Sequence, residues 1–255
     1  MIQETQHRFP GTSWNWLTDP DQLEANELID PFDLAIYTVV PPADANSRPT
    51  LKRTDEAYDL DHDDVETLKK IHQQALGQAV AALPHNGRIV AGNTASVHPD
   101  AFAEMPEFST PAAPAAAIGV NVTAGTGGVG PCVALLARAP VGNRLRVGCI
   151  HLSPDDMSTL QLAAAGLGRL LSELARTSPD ANTGPVELYV VGGSQDDSVA
   201  YEDFSRVIAA AQLRSAAQSA VPVQLVGALV PASLDEQYVD VHIGAAGVTY
   251  SIQQR

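Results

Sequence analysis

Cys132 and His151 have the strongest claim to chemistry in this sequence. A thiol becomes a strong nucleophile when a nearby base takes its proton, and an imidazole is the base suited to that near neutral pH. Cys132 follows the glycine-rich run Gly125-Thr-Gly-Gly-Val-Gly-Pro131. Such a run turns the backbone tightly and brings N–H groups close to a side chain at its lip. Those groups can stabilise an oxyanion. Pro131 has no N–H, so the donor is Cys132 itself or another loop amide. The base, His151, needs a third group to orient its ring. Thr126 offers a hydroxyl or a carbonyl for this, with Asn121 and Ser153 as rivals. The bland reading of any single cysteine is a small buried hydrophobe. Cys149 is read that way, with a disulfide to Cys132 as the lesser alternative.

These residues need elements that bring them together. Ile118–Thr123 reads as a strand, the glycine run as a tight turn, and Cys132–Arg138 as a second strand. Pro140-Val-Gly-Asn143 turns the chain back into a third strand, Leu145–Leu152, so the two strands should pair antiparallel. Cys132 and His151 then fall at the same edge of one sheet. Ser153 fits an N-cap, Pro154 the first helical position, and Asp155 and Asp156 the positive helix end. One long helix is expected from there, with Met157, Leu160, Ala164, Leu167, Leu171 and Leu174 as its buried stripe. Val186–Val191 is a strand, a Gly192-Gly193-Ser194 turn follows, and a helix runs over about Ser198–Ala217. Val223–Leu229 and a hairpin over Tyr238–Ile252, broken at Gly244–Gly247, close the chain. Upstream, the pattern is sparser: a strand over Asp33–Val40, a helix over Val65–Leu83 and a short strand at Arg88–Ala91.

Taken together, four short motifs resemble the CheD family of chemoreceptor glutamine deamidases. They are Thr126-Gly-Gly-Val-Gly-Pro-Cys132, His151-Leu-Ser-Pro154, Glu187-Leu-Tyr-Val-Val-Gly-Gly-Ser194, and Val239-Asp-Val-His-Ile with Gly247-Val-Thr-Tyr250. The resemblance covers about residues 118–252, and the same Cys–His core occurs in the cytotoxic necrotising factors and the Burkholderia lethal factor. It implies an α+β fold, a layered αββα core with mainly antiparallel sheets. It also implies Cys132 as nucleophile, His151 as base and Thr126 as the group orienting His151. The implied reaction converts a target-protein glutamine to glutamate without metal or organic cofactor. Two departures stand out. Pro131 replaces the small residue usual before the cysteine, and Gln195-Asp-Asp197 stands where an Arg-Asn pair is expected. With residues 1–117 added, they point to a divergent member or a bacterial effector or toxin. The alternatives are a peptidase or transglutaminase on the same triad, and a non-catalytic binding module of the same fold.

Composition bounds these readings. The chain has 255 residues, 45% of them hydrophobic and 18% charged, which suffices for a real core. Its formal net charge is −15. Phosphate contacts need clustered Lys and Arg, so nucleic acid and anionic membrane surfaces are poor partners, and a glutamine-bearing protein is the expected one. Two cysteines make no disulfide framework. The start of the chain lacks the pattern of a Sec signal, so the expected location is the cytoplasm or, by another secretion route, a host cell. The Pro/Ala stretch Pro111–Ala117 divides the chain into an acidic extension, residues 1–117 and of mixed α/β character, and a catalytic domain, residues 118–255. Asp59, Asp61 and Asp63 have the spacing that opens an EF-hand loop. Asp64 and Lys70 occupy the positions that need Gly and Glu, so calcium binding is not expected. His62 and His72 lack the spacing of a helical metal pair, and no metal site is expected from them. The glycine run lacks the Gly-Lys-Ser/Thr of a phosphate loop. Trp14 and Trp16 are read as covering a core edge.

Overall fold

Short strands rather than helices organise the beginning of the chain. In the computed structural model the described residues are 3–4, 17–18, 21–30, 34–41, 50–58, 70, 73–74, 76–92, 102–104, 116–176, 184–216, 222–231 and 237–254. They form two units, Met1–Ala79 and Val80–Arg255. In the first unit, β1 (Gln3–Glu4), β2 (Leu17–Thr18), β3 (Glu27–Ile29), β4 (Ala35–Val40) and β5 (Thr50–Ala57) make one sheet in that order. All its pairings are antiparallel. Ile29, Ile36 and Tyr58 form a small buried cluster. The expected strand over 33–40 is β4. Of the helix expected over 65–83, the described residues 70, 73–74 and 76–81 are helical. The acidic residues Asp59, Asp61 and Asp63, the histidines His62 and His72, and Trp14 and Trp16 lie outside the described residues.

The second unit begins upstream of the boundary expected at 117/118. Its first strands, β6 (Ile89–Ala91) and β7 (Phe102–Glu104), hydrogen-bond into a sheet built by residues that follow the Pro/Ala stretch. Ladder bonds outweigh the compositional break at Pro111–Ala117. The later strands are β8 (Ala116–Val120), β9 (Thr123–Val129), β10 (Val133–Val141), β11 (Arg144–Leu152), β12 (Val186–Gly192), β13 (Val223–Leu229), β14 (Gln237–Gly244) and β15 (Gly247–Gln254). One sheet has the order β13-β12-β10-β11-β8 and the other β6-β15-β14-β9-β7. Pairings are antiparallel except β12 with β13, β15 with β6 and β7 with β9. The unit is thus a mixed α+β structure with mainly antiparallel sheets.

The two sheets face each other. Ala134, Leu136, Val147, Cys149, Tyr189 and Val191 of the first sheet meet Ala124, Val129, Val239, Val241, Ile243 and Val248 of the second in one buried cluster. Period-two alternation sends the intervening residues of β10 and β11 to the other face, where helices cover them. Those helices are α1 (Pro154–Met157), α2 (Leu160–Arg176) and α3 (Ser198–Ala216). The single helix expected from Ser153 is broken at Ser158-Thr159. Thr159 Oγ1 accepts from the N–H of Leu162 at 3.2 Å and so caps a fresh helix. Met157, Leu160, Leu167 and Leu174 of the expected stripe are buried, but Ala164 is exposed and Leu171 half-buried, and Ala163 and Leu170 take their places in the core.

At one end of the first sheet a charged knot joins several elements. Arg138 Nε donates to Glu187 Oε2 at 2.6 Å, and the same oxygen accepts from Tyr189 OH at 3.1 Å. Arg138 NH1 donates to Ala245 O at 2.9 Å, in the β14–β15 turn of the other sheet. Burial pushes the Glu187 carboxyl up, but the hydrogen bond and charge of Arg138 outweigh it and hold the group below its ordinary 4.5. A depressed carboxyl stabilises the fold above its unfolded value, and that contribution disappears as pH falls through the folded value. Glu187→Gln should therefore cost about 1–2 kcal/mol at pH 7. Urea midpoints of the two proteins should converge progressively below about pH 4.5; a gap that stays constant down to acid pH would contradict this.

Candidate active site

The sequence order Thr126, Cys132, His151 becomes a cluster because three strand ends meet at one rim. In the β10–β11 ladder Val133 pairs with Leu152 and Ala134 with His151. Cys132 precedes Val133, so it lies two positions along from the partner of His151 and on the same face. Such diagonal neighbours are within reach of long side chains. Cys132 packs against the inter-sheet cluster and is partly exposed. Its carbonyl accepts from the N–H of Gly193 at 2.9 Å, which ties the start of β10 to the end of β12. Gly192 and Gly193 have φ of 137° and 67°, and a Cβ on Gly192 would lie 2.4 Å from the Cys132 oxygen. The Gly-Gly pair is needed to hold the cysteine where it is.

Thr126 arrives from the other sheet. The expected tight turn over 125–131 is instead mostly strand: β9 takes in residues 123–129, and the chain turns at Asn121-Val122 and again at 130–132. The glycines serve close strand approach. A Cβ on Gly125 would fall 2.3 Å from both Val241 O and the His242 ring. Gly127-Gly128 forms a bulge, because Thr126 pairs with Val241 while Val129 pairs with Val239. Gly128 has φ of 71°, and its N–H donates to Asp240 Oδ1 at 3.1 Å. On a straight strand residues three apart face opposite ways. The bulge lets Thr126 and Val129 both face the first sheet.

Thr126 Oγ1 lies 3.0 Å from His151 Nδ1, a hydrogen bond across the gap between the sheets. The same hydroxyl donates to Gly127 O at 3.4 Å. With the hydroxyl proton so used, its oxygen is the partner for an Nδ1–H tautomer, which would leave Nε2 as the basic nitrogen. Both rivals are engaged elsewhere. Asn121 Oδ1 accepts from Leu145 N–H at 2.9 Å, at the far end of β11. Ser153 Oγ donates to Asp156 Oδ2 at 2.6 Å. Cys149 is fully buried, and both cysteines are free thiols. Among the described hydrogen bonds none joins the Cys132 sulfur to the His151 ring; unliganded sites commonly tighten only around substrate.

The electrostatics differ from the expected drawn-off thiolate. Burial raises the Cys132 thiol, and the carboxylates of Asp156 and Asp203 raise it further. Burial lowers His151, with Asp156 opposing. Both shifts favour the uncharged forms, thiol and imidazole. Sequence reasoning did not connect these two aspartates with the cysteine. Asp156 was legible as a helix-start residue, and register alone then carries it to Cys132. Asp203 had one signal: it is an acid inside the run Ala200–Ala211 on α3, every residue of which is buried.

Among the described residues no group of His, Cys, Asp and Glu is arranged to hold a metal ion. No helix among them is long and apolar enough to cross a membrane. No protein-family model matches the chain, and no curated protein matches its sequence.

The Thr126 bond should be visible in the ring itself. Thr126→Val should shift the His151 tautomer balance away from Nδ1–H by about fivefold, the worth of roughly one hydrogen bond. Thr126→Ser should retain the wild-type balance. Imidazole nitrogen chemical shifts measure both, and an unchanged ring in Thr126→Val would refute the assignment.

Proposed function

We propose that the second unit is a protein-glutamine deamidase with a CheD-like αββα core, using Cys132 as nucleophile, His151 as base and Thr126 to orient the ring. The observation that carries this is the 3.0 Å bond from Thr126 to His151 Nδ1, made at the rim where register also puts Cys132. The order of helix layer and two facing sheets supports the layered core.

With both groups neutral at rest, proton transfer accompanies attack. His151 Nε2 takes the thiol proton as sulfur bonds to the glutamine side-chain carbonyl carbon. The carbonyl electron pair moves onto oxygen, where backbone N–H groups such as that of Cys132 receive it. The oxyanion collapses, the C–N bond breaks, and the protonated imidazole supplies the proton that lets ammonia leave. Water, deprotonated by His151, then attacks the thioester. Glutamate departs and the thiol is restored. The chemistry needs neither a metal nor an organic cofactor. The reading extends to a bacterial effector or toxin acting in the cytoplasm or, after non-Sec delivery, in a host cell, with the acidic N-terminal part as an accessory or target-binding region.

Incubating the full chain with glutamine-containing proteins and following ammonia and the amide-to-acid mass change tests this. Wild type should release ammonia without cleaving chains. Cys132→Ala should release none, and His151→Ala should be slower by about 10²–10⁴-fold. Peptide cleavage or cross-linking would assign the triad to a peptidase or transglutaminase, no turnover by wild type would assign a binding module, and Cys132→Ala at wild-type rate would remove Cys132 as the nucleophile.

A further inference from the structure

Two carboxylates on different elements act on the charge of the Cys132 thiol, and the reaction just described uses neither. Asp156 reaches it through the helix start. Position 153 follows Leu152, the partner of Val133, so it stands beside position 132 in the extended ladder. Asp156 is fastened there by two bonds, from Ser153 N–H at 2.9 Å and Ser153 Oγ at 2.6 Å. Both go to Oδ2, which leaves Oδ1 as the acceptor for a ligand. Asp203 comes from α3, whose first turns press on the Gly-Gly pair: a Cβ on Gly193 would lie 2.8 Å from Ala200 O and 2.9 Å from Phe204 Cβ. Gly193 is the residue that holds the Cys132 carbonyl. Asp203 is 3% exposed.

Asp203 has a cation as partner: Arg206 NH1 meets Asp203 Oδ1 at 2.8 Å, and Arg206 NH2 lies 3.7 Å from Glu202 Oε2. The Asp156 carboxylate, fastened to Ser153, is a separate negative charge acting on the thiol. Burial pushes Asp203 up to about 6, with Arg206 opposing, so it is ionised at pH 7.5.

We infer that Asp156 and Asp203 make the surroundings of Cys132 an anionic acceptor site that admits a neutral carboxamide and rejects a carboxylate. On the deamidase reading, on which this rests, the glutamine –NH2 donates to Asp156 Oδ1, and the product is repelled as soon as it becomes glutamate. Asp156 and Asp203 are then specificity-determining residues, and the negative charge drives product release.

Two reagents of nearly the same shape separate charge from sterics. Iodoacetamide is a neutral carboxamide and iodoacetate its anionic counterpart. With each, the sulfur bonds to carbon, iodide leaves and the thiol proton is lost to base. Cys149 is fully buried, so peptide mass analysis of the intact chain follows Cys132. At pH 7.5 and low salt, the amide-to-acid rate ratio should exceed that of N-acetylcysteine amide by about tenfold or more, as expected for close like charges. Asp156→Asn should reduce that excess several-fold, and Asp203→Asn likewise. Because Asp203→Asn disturbs a buried ion pair, Asp156→Asn and added salt, which should also reduce the excess, keep the test decisive. A wild-type ratio equal to that of N-acetylcysteine amide, or an excess unmoved in Asp156→Asn, would overturn the inference. If the excess holds while no glutamine is converted, the acidic site stands and the deamidase reading falls. If glutamine is converted while the ratio is ordinary, the reverse follows.

Discussion

One hydrogen bond spans the gap between two sheets at their open rim, and the chemistry assigned to Cys132 depends on it. Thr126 belongs to one sheet and His151 to the other, so the 3.0 Å bond exists only when the sheets close in register. The apolar cluster between them supplies that closure, since Ala124, Val129, Val241 and Ile243 pack on Ala134, Leu136 and Cys149. An isolated strand could not orient the ring, because the orienting oxygen comes from a different sheet. The inter-sheet core thereby holds the threonine hydroxyl against Nδ1 of the ring.

Glycine has two distinct uses around this bond. At Gly125 the absent side chain lets β9 lie against Val241 and His242, and at Gly128 a left-handed residue completes the bulge that turns Thr126 inward. At Gly192 and Gly193 it lets the end of β12 close on the Cys132 carbonyl. The first group aims His151 through Thr126 and the second anchors Cys132. Both bring backbone near the reacting sulfur, where a low dielectric makes the nearby carboxylates of Asp156 and Asp203 count for more than they would in water. Burial and these two carboxylates together hold the partly buried thiol above its ordinary value.

The local patterns were legible before any coordinates. The antiparallel pair at 133–152 follows from two apolar-rich segments joined by the Gly-Asn turn. The cap at Ser153, the hairpin at 244–247 and the Gly-Gly end of β12 each follow from a residue type with one favoured backbone role. Other readings failed where two local rules competed. The glycine run looked like a turn, because glycine is permissive and sequence does not say whether that freedom serves a bend or a close approach. The helix after Ser153 looked continuous, because apolar spacing persists across Thr159 while the threonine caps a new helix. The Pro/Ala stretch looked like a domain boundary, yet β6 and β7 upstream of it pair with strands downstream.

By itself the sequence determined which residues could react, the strand pair that carries Cys132 and His151 to a common edge, and the acidity of the chain as a whole. Tertiary structure decided the choice among Thr126, Asn121 and Ser153: Asp156 takes Ser153 within the local helix cap, but folding alone brings Leu145 to Asn121 and Thr126 to His151. It also decided the electrical state of the thiol. The charges that set it reach Cys132 across a ladder and through a helix packed on Gly193. Coulomb energy depends on distance through space, which spacing along the chain does not encode.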